Sequence, residues 1–265
     1  MPTPELLFST ILREIGVPHA FTTRRGGFSA KPFDSLNFGN PGELPPDIER
    51  DSKETIRRNF ELLATAIGAC DRRIVQVHQV HGDHVHVEYS GLHVNESIVW
   101  GDVKADAIVS DDSDCLVAIR TADCAPILLS SHDGRIVAGV HAGWRGVISG
   151  VTLRAIERMR EIGANDIVGA IGPCIGKESF EVGPEVIEIF HSTFGTDAPV
   201  RIKPDGKGLV DLKECLRLQI EASLSKLEIL PHCTMLDREL FFSHRRDSGV
   251  TGRMVGVIGC ASGKM

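Results

Sequence analysis

Three short segments of this chain carry polar and soft side chains at the ends of apolar runs, where a fold can bring distant residues together. They are Gln79-Val80-His81-Gly82, Thr121-Ala122-Asp123-Cys124-Ala125-Pro126 and His141-Ala142-Gly143-Trp144-Arg145-Gly146. Two histidines and one cysteine from separate strand ends match the nitrogen and sulfur donors that Zn²⁺ prefers, and a catalytic site keeps one further position open. His81, Cys124 and His141 lie far apart in sequence, so there is no local zinc-finger spacing. Each also has a plainer reading: Cys124 as a small buried hydrophobe, His81 as a turn residue. His141 is the hardest to dismiss, because the glycines after it point to close approach of the backbone to something. His78 or His244 is available as a fourth ligand, and a closed four-ligand site would be structural.

The elements that must position these residues are short. Strand-like runs rich in Val and Ile cover 74–80, 84–89, 107–110, 116–120, 127–130, 136–141, 167–171 and 254–258. Helical periodicity covers 48–67, 147–162, 184–194 and 212–227, the last with Leu212, Leu216, Ile220, Leu224 and Leu227 on one stripe. Strands and helices interleave without strict alternation, which predicts an α/β fold with a mixed sheet and flanking helices. Repeats, low-complexity tracts and long linkers are absent from the sequence, so it reads as one domain over residues 1–265. The polar, proline-containing stretch 40–51 is the loopiest part.

Bulk properties narrow the function. With 42% hydrophobic and 25% charged residues the chain is that of an ordinary globular protein. A net charge of −7 argues against a general nucleic-acid binder. No apolar run reaches the ~18 residues that span a bilayer, and the first twenty residues lack signal-peptide features. Seven cysteines, an odd number at irregular spacings, fit a reducing compartment, so a cytoplasmic location is expected.

In combination the motifs become specific. The chain resembles the laccase-domain family, also called the multicopper polyphenol oxidase type and associated with purine nucleoside phosphorylase activity. The resemblance covers nearly the whole chain. It includes Phe21-Thr22-Thr23-Arg24-Arg25-Gly26-Gly27, Leu36-Asn37-Phe38-Gly39 and the three segments above. It continues through Ile171-Gly172-Pro173-Cys174-Ile175, Asp211-Leu212 and Phe242-Ser243-His244-Arg245-Arg246-Asp247. It implies metal ligands at His81, Cys124 and His141, and a layered fold like the catalytic domain of cytotoxic necrotizing factor toxins. It also implies phosphorolysis of adenosine, inosine, guanosine and methylthioadenosine, and deamination of adenosine.

The two reactions ask for different groups. Deamination needs an activated water and a carboxylate that shuttles protons; Asp123, beside Cys124, is the first candidate. Its alternative role is to fix the turn by accepting backbone N–H bonds. Phosphorolysis needs phosphate held beside the anomeric carbon by arginines or by N–H groups at a helix start. Arg24, Arg25, Arg145, Arg245 and Arg246 lie in the motifs, as do the polar side chains Asn37 and Gln79, and Gly146 leads into the 147–162 helix. One of Arg245 and Arg246 is expected to pair with Asp247. Phe38, Trp144 and Phe242 are the candidates for purine stacking.

Three competing readings remain open. Copper-dependent phenol oxidation would need many histidines, and the chain has one His-x-His pair, His84-Val85-His86, with His78 and His93 near it. A cysteine hydrolase or deamidase would use Cys124 as nucleophile and His141 as base, with Cys174 and Cys233 as further thiols. A non-catalytic binding module would keep its zinc for structure alone.

Overall fold

The computed structural model describes residues 2–42, 44–91 and 97–262, so His93 lies outside the described residues. The strand β7 (Cys115–Thr121) shows how the layers arise. Cys115, Val117 and Ile119 enter one apolar cluster while Leu116 and Ala118 enter another. Side chains alternate across a strand, so a strand apolar on both faces needs a layer on either side.

β7 belongs to a mixed six-stranded sheet, in the order β1 (Leu6–Leu7), β2 (His19–Thr22), β15 (Met254–Gly259), β7, β3 (Arg73–His78) and β5 (Ile98–Lys104). A second six-stranded sheet has the order β14 (Lys226–Ile229), β10 (Ile167–Ile171), β8 (Ala125–Ser131), β9 (Val137–Ala142), β6 (Ala107–Ser110) and β4 (Val85–Glu88). Val75, Val117 and Ile119 of the first sheet share one core with Leu128, Val137 and Val168 of the second, and α1 (Thr10–Ile15) adds Leu12 to it. The outer face of the first sheet is covered by α2 (Lys53–Ala66) through Ile56, Phe60 and Leu63. The outer face of the second is covered by α3 (Trp144–Ser149), α4 (Val151–Glu161), α5 (Pro184–Phe194) and α6 (Leu212–Ile220). The result is helix, sheet, sheet, helix. A small sheet of β11 (Glu181–Val182), β12 (Val200–Ile202) and β13 (Gly208–Val210) sits beside α5 in the sequence.

The expected mixed α/β architecture is present. The strand at 107–110, the strand at 167–171 and the helix at 184–194 coincide with β6, β10 and α5. Three helix boundaries differ, each for a local reason. The helix expected from 48 starts at Lys53, because Ser52 caps it by accepting the Thr55 N–H. The helix expected over 147–162 breaks at Gly150, whose φ of 75° ends α3 and opens α4. The helix expected over 212–227 ends at Ile220. Leu224 and Leu227 still join its apolar cluster, but Leu227 does so from β14. The stripe recorded a shared core rather than one helix.

No helix among the described residues is long and apolar enough to cross a membrane. All seven cysteines are free. Phe60 is fully buried and meets Phe38 edge-on at 4.8 Å between ring centroids. Phe60→Ala should therefore cost about 3–5 kcal/mol in denaturant unfolding. A loss below about 1 kcal/mol would show that α2 contributes little to the core.

Candidate functional site

Strand pairing assembles the three donors. β8 and β9 are antiparallel, with Ala125 opposite Ala142 and Pro126 opposite His141. Cys124, one residue before β8, therefore arrives beside His141 and Gly143. It lies on the crossover from the first sheet to the second, which turns through Asp123 at φ 86°. His81 comes from the turn after β3, at φ 60°. Left-handed backbone at residues other than glycine costs of order 1–3 kcal/mol and persists where the surroundings impose it. The ligand atoms of His81, Cys124 and His141 lie within 4.8 Å of one another, and no other such group occurs among the described residues.

Asp106 imposes that arrangement. Its fully buried carboxylate accepts the N–H groups of Val80, His81 and Gly82 at 3.2, 2.9 and 2.7 Å. It also meets His141 Nδ1 at 2.8 Å, and its backbone carbonyl accepts the His141 N–H at 2.7 Å. Burial acts to raise the Asp106 carboxyl, but the bonds from His141, Gly82 and Val80 outweigh it and hold it below the ordinary value. An ionised carboxylate only accepts, so His141 keeps a proton on Nδ1 toward Asp106, and Nε2 is the atom it can present to a metal. Carboxylate–histidine pairs of this kind orient metal ligands. Sequence reasoning missed Asp106. The available signal was a lone acid between Ala105 and Ala107 at the head of an apolar strand.

Electrostatics tie the thiol to the imidazole. Burial would raise the Cys124 thiol, but His141 and His81 beside it bring it down to about 6. His141 moves the other way: burial lowers it, yet Cys124 and Asp106 outweigh that and take it up to about 9. Gly143 leaves room for the group, since a Cβ there would stand 3.0 Å from both Cys124 Sγ and His81 Cδ2. Its φ of −73° suits any residue. Gly143→Ala should thus fold, while ~1–3 kcal/mol of overpacking loosens a bound metal about ten- to a hundredfold in a chelator competition. Unchanged retention would show that this close approach is dispensable.

The donors open into a cavity of about 580 Å³, within the usual ~300–1,000 Å³ range for small-molecule sites. Trp144, Arg145, Ile175, Phe180, His244 and Arg245 line it together with His78 and Gln79. Arg145 stacks on Trp144 at 4.5 Å and Arg245 on Phe180 at 5.5 Å, both arginines being exposed. Asp123 also borders the cavity, but its carboxylate accepts Thr234 Oγ1–H at 2.6 Å, Ser243 Oγ–H at 3.0 Å and the Arg245 N–H at 2.7 Å. It thereby anchors residues 234–245 to the Cys124 turn.

Several expected residues lie elsewhere. Arg24 bonds Asp34 and stacks on Phe242, and Arg25 pairs with Glu5 and Glu239. Arg246 spends its guanidinium on Asp247 and on the carbonyls of Thr234 and Phe241. Asn37 is fully buried and holds Asp51 and the backbone of Gly39 and Arg253. Gln79 reaches the cavity, but its amide is committed to the backbone of Arg120. Phe38 and Phe242 are core residues, leaving Trp144 as the stacking candidate in contact with the cavity. Gly146 lies inside α3, which begins at Trp144, so it does not open a helix. His78 and His244 line the cavity outside the three-donor group, His86 is engaged with Glu88, and Cys174 is buried with its thiol pushed up to about 12 by burial.

Two cavity residues were not anticipated, Arg120 and Arg253. Among the described residues their guanidinium groups bond only backbone carbonyls, Arg120 that of Val77 at 3.4 Å, Arg253 those of Thr251 and Gly252 at 3.1 and 3.0 Å. Their signal in the sequence was a charge near the end of one apolar strand, after Ile119, and another just before a second, ahead of Met254.

Known proteins resemble the chain over most of its length. A family model described as multi-copper polyphenol oxidoreductase laccase matches residues 18–261. The chain is 35% identical over 249 residues to a purine nucleoside phosphorylase of Deinococcus radiodurans, covering 92% of this chain and 90% of that one. It is 34% identical to the purine nucleoside phosphorylase YfiH of Escherichia coli, over 92% and 93% of the two chains. Its fold matches the crystal structure of YlmD from Geobacillus stearothermophilus with a TM-score of 0.80 at 32% identity, covering 93% of each chain. The match to the YfiH structure of Bacillus licheniformis has a TM-score of 0.83 at 29% identity, over 98% and 97% of the two chains. With the family model spanning most of its length, the chain belongs to the multi-copper polyphenol oxidoreductase laccase family.

Proposed function

We propose that this chain is a zinc-dependent purine nucleoside phosphorylase, acting as one unit over its length in the cytoplasm. The observation that carries the reading is the group His81, Cys124 and His141, gathered at the wall of a nucleoside-sized cavity. The residues fit a metal: two imidazoles and a thiol of lowered pKa supply a donor set suited to zinc. Asp106 fixes the orientation of one donor, and Gly143 contributes no side chain to the space between two others. Bound there, a zinc ion supplies Lewis acidity near neutral pH.

The remaining roles belong to side chains. Trp144 and Phe180, each carrying a stacked arginine, offer aromatic faces to a purine. Arg145 and Arg245 frame the mouth and draw anions toward it. Asp123 acts as a positioning group, because three donors already occupy its oxygens. In the reaction a phosphate oxygen bonds to C1′ of the ribose as the C1′–N9 bond breaks. The electron pair leaves with the purine, which takes up the proton that hydrogen phosphate gives up, giving free base and ribose 1-phosphate. Adenosine, inosine, guanosine and methylthioadenosine share the bond that is cut.

Chromatography of adenosine incubated with the protein, with and without phosphate, tests the reading. Adenine and ribose 1-phosphate formed only with phosphate support phosphorolysis. Inosine formed without phosphate would mean deamination, and absence of both products would overturn the nucleoside assignment. The family's copper label would demand more histidines than this group contains, and His86 is already engaged with Glu88.

One observation favours a second reading. A thiol brought down to about 6 beside an imidazole raised to about 9 is also a nucleophile–base pair. A kinship with the catalytic domain of necrotizing-factor toxins, which the family resemblance implies, points the same way. His81 separates the two. His81→Asn should abolish turnover if a metal is needed, and should leave a Cys124–His141 hydrolase largely active.

A further inference from the structure

We infer that Arg120 and Arg253 form a subsite for inorganic phosphate in the wall of the cavity, and that the amides of Gln79 and Asn37 position it. The inference deepens the phosphorylase reading and rests on it only for naming free phosphate as the anion.

The two arginines are neighbours by strand pairing. β7 and β15 are antiparallel, with Arg120 opposite Val255 and Thr121 opposite Met254, so Arg253 enters β15 beside the end of β7. Both border the cavity that holds the three donors. Burial lowers the pKa of both, and for Arg253 the charge of Arg120 lowers it further, against a smaller upward pull from Cys124 and Asp123. Like charges in a partly desolvated wall are unfavourable unless an anion offsets them. The fold elsewhere neutralises such a group: Arg73, 10% exposed in its side chain, is held by Glu88 at 2.7 Å and Asp112 at 2.6 Å. Among the described residues, neither Arg120 nor Arg253 has a carboxylate of that kind, and both bond only main-chain oxygens.

The surroundings are built to hold the pair. Gln79 Oε1 accepts the Arg120 N–H at 2.9 Å while Gln79 Nε2 donates to the Arg120 carbonyl at 2.7 Å. Asn37 Oδ1 accepts the Arg253 N–H at 2.9 Å, and Asn37 is itself fixed by Asp51 at 2.9 Å. Each arginine is thus gripped at its own backbone by a side-chain amide. Gly39 packs against both, since a Cβ there would lie 3.1 Å from Arg120 Cδ and 3.7 Å from Arg253 Cγ. Two planar guanidinium forks in one cavity wall suit the oxygens of a phosphate dianion, which a single hydrated ammonium would not. Arg145 and Arg245 differ: they are exposed and lie on aromatic rings at the mouth.

The test is calorimetric titration of inorganic phosphate into the full chain, with thermal melts to confirm folding. Arg120→Gln and Arg253→Gln should each weaken binding about tenfold or more, as expected for loss of a charge-assisted bond. Arg158→Gln, which removes an exposed helix ion pair, should leave it unchanged. Gln79→Ala keeps every charge and should raise the KM for phosphate severalfold, a larger effect than on kcat. It stands in should the arginine variants fail to fold. Phosphate bound equally by the wild type and the folded variants, or not bound by the wild type, would overturn the subsite. A loss seen with AMP but not with phosphate would overturn the assignment to the free anion. Phosphate binding lost in the variants of a protein that releases no purine would sink the phosphorylase reading and leave the subsite standing.

Discussion

Cys124→Ala is expected to strip the protein of its metal and lower nucleoside turnover by at least about 10³-fold, while the fold survives. The thiol is the one sulfur donor in the group, and two imidazoles alone are a weaker site for zinc. The side chain is half-buried at the cavity wall, so trimming it to a methyl should cost stability only about 1–2 kcal/mol. Cys174→Ala is the matched control. That thiol is fully buried and outside the donor group, so its loss should be felt in the melt and not in metal content. Elemental analysis and turnover on the same preparations decide the matter. A Cys124→Ala protein that keeps metal and full activity would show that the site has been wrongly placed.

Asp106→Asn should be nearly as damaging, by a different route. The carboxylate accepts three main-chain N–H bonds and faces His141 Nδ1, all from a fully buried position. An amide has the same size but one accepting oxygen, and its NH₂ would face donors. Removing the buried charge leaves His141 without the partner that sets its tautomer. The expected cost is about 3–5 kcal/mol of stability and about ten- to a hundredfold in metal affinity. Denaturant titration reads the first and chelator competition the second. A variant within about 1 kcal/mol of the wild type, with unchanged affinity, would reduce Asp106 to a bystander.

Much of this site was legible in the sequence because strand ends mark themselves. His81, Cys124 and His141 each follow or precede an apolar run, and the pairing of β8 with β9 brings the last two together. The layered mixed fold followed from the strand runs, although the short β1 and β11 and the half-exposed β5 carry too little apolar pattern to register. Hydrogen-bond partners were harder to see. Asp106 looks like any acid beside a strand until the pairing of β6 with β9 sets it next to His141. From sequence Asn37 and Gln79 look like ligand contacts, because polar residues in motifs suggest binding. Their amides instead hold the backbones of Arg253 and Arg120. The arginines themselves are separated by about half of the chain, and nothing local in either segment announces the other. Position in a motif told which segments matter, while only the fold told which side chain faces the cavity.

The central claim joins one metal centre to one reaction, and a metal titration tests it directly. Zinc is added stepwise to metal-stripped protein in the presence of inosine and phosphate, with release of hypoxanthine as the readout. The expected result is a rate that rises linearly from near zero and levels off at about one zinc per chain. Hypoxanthine release at full rate without metal, or none with the site saturated, would contradict it.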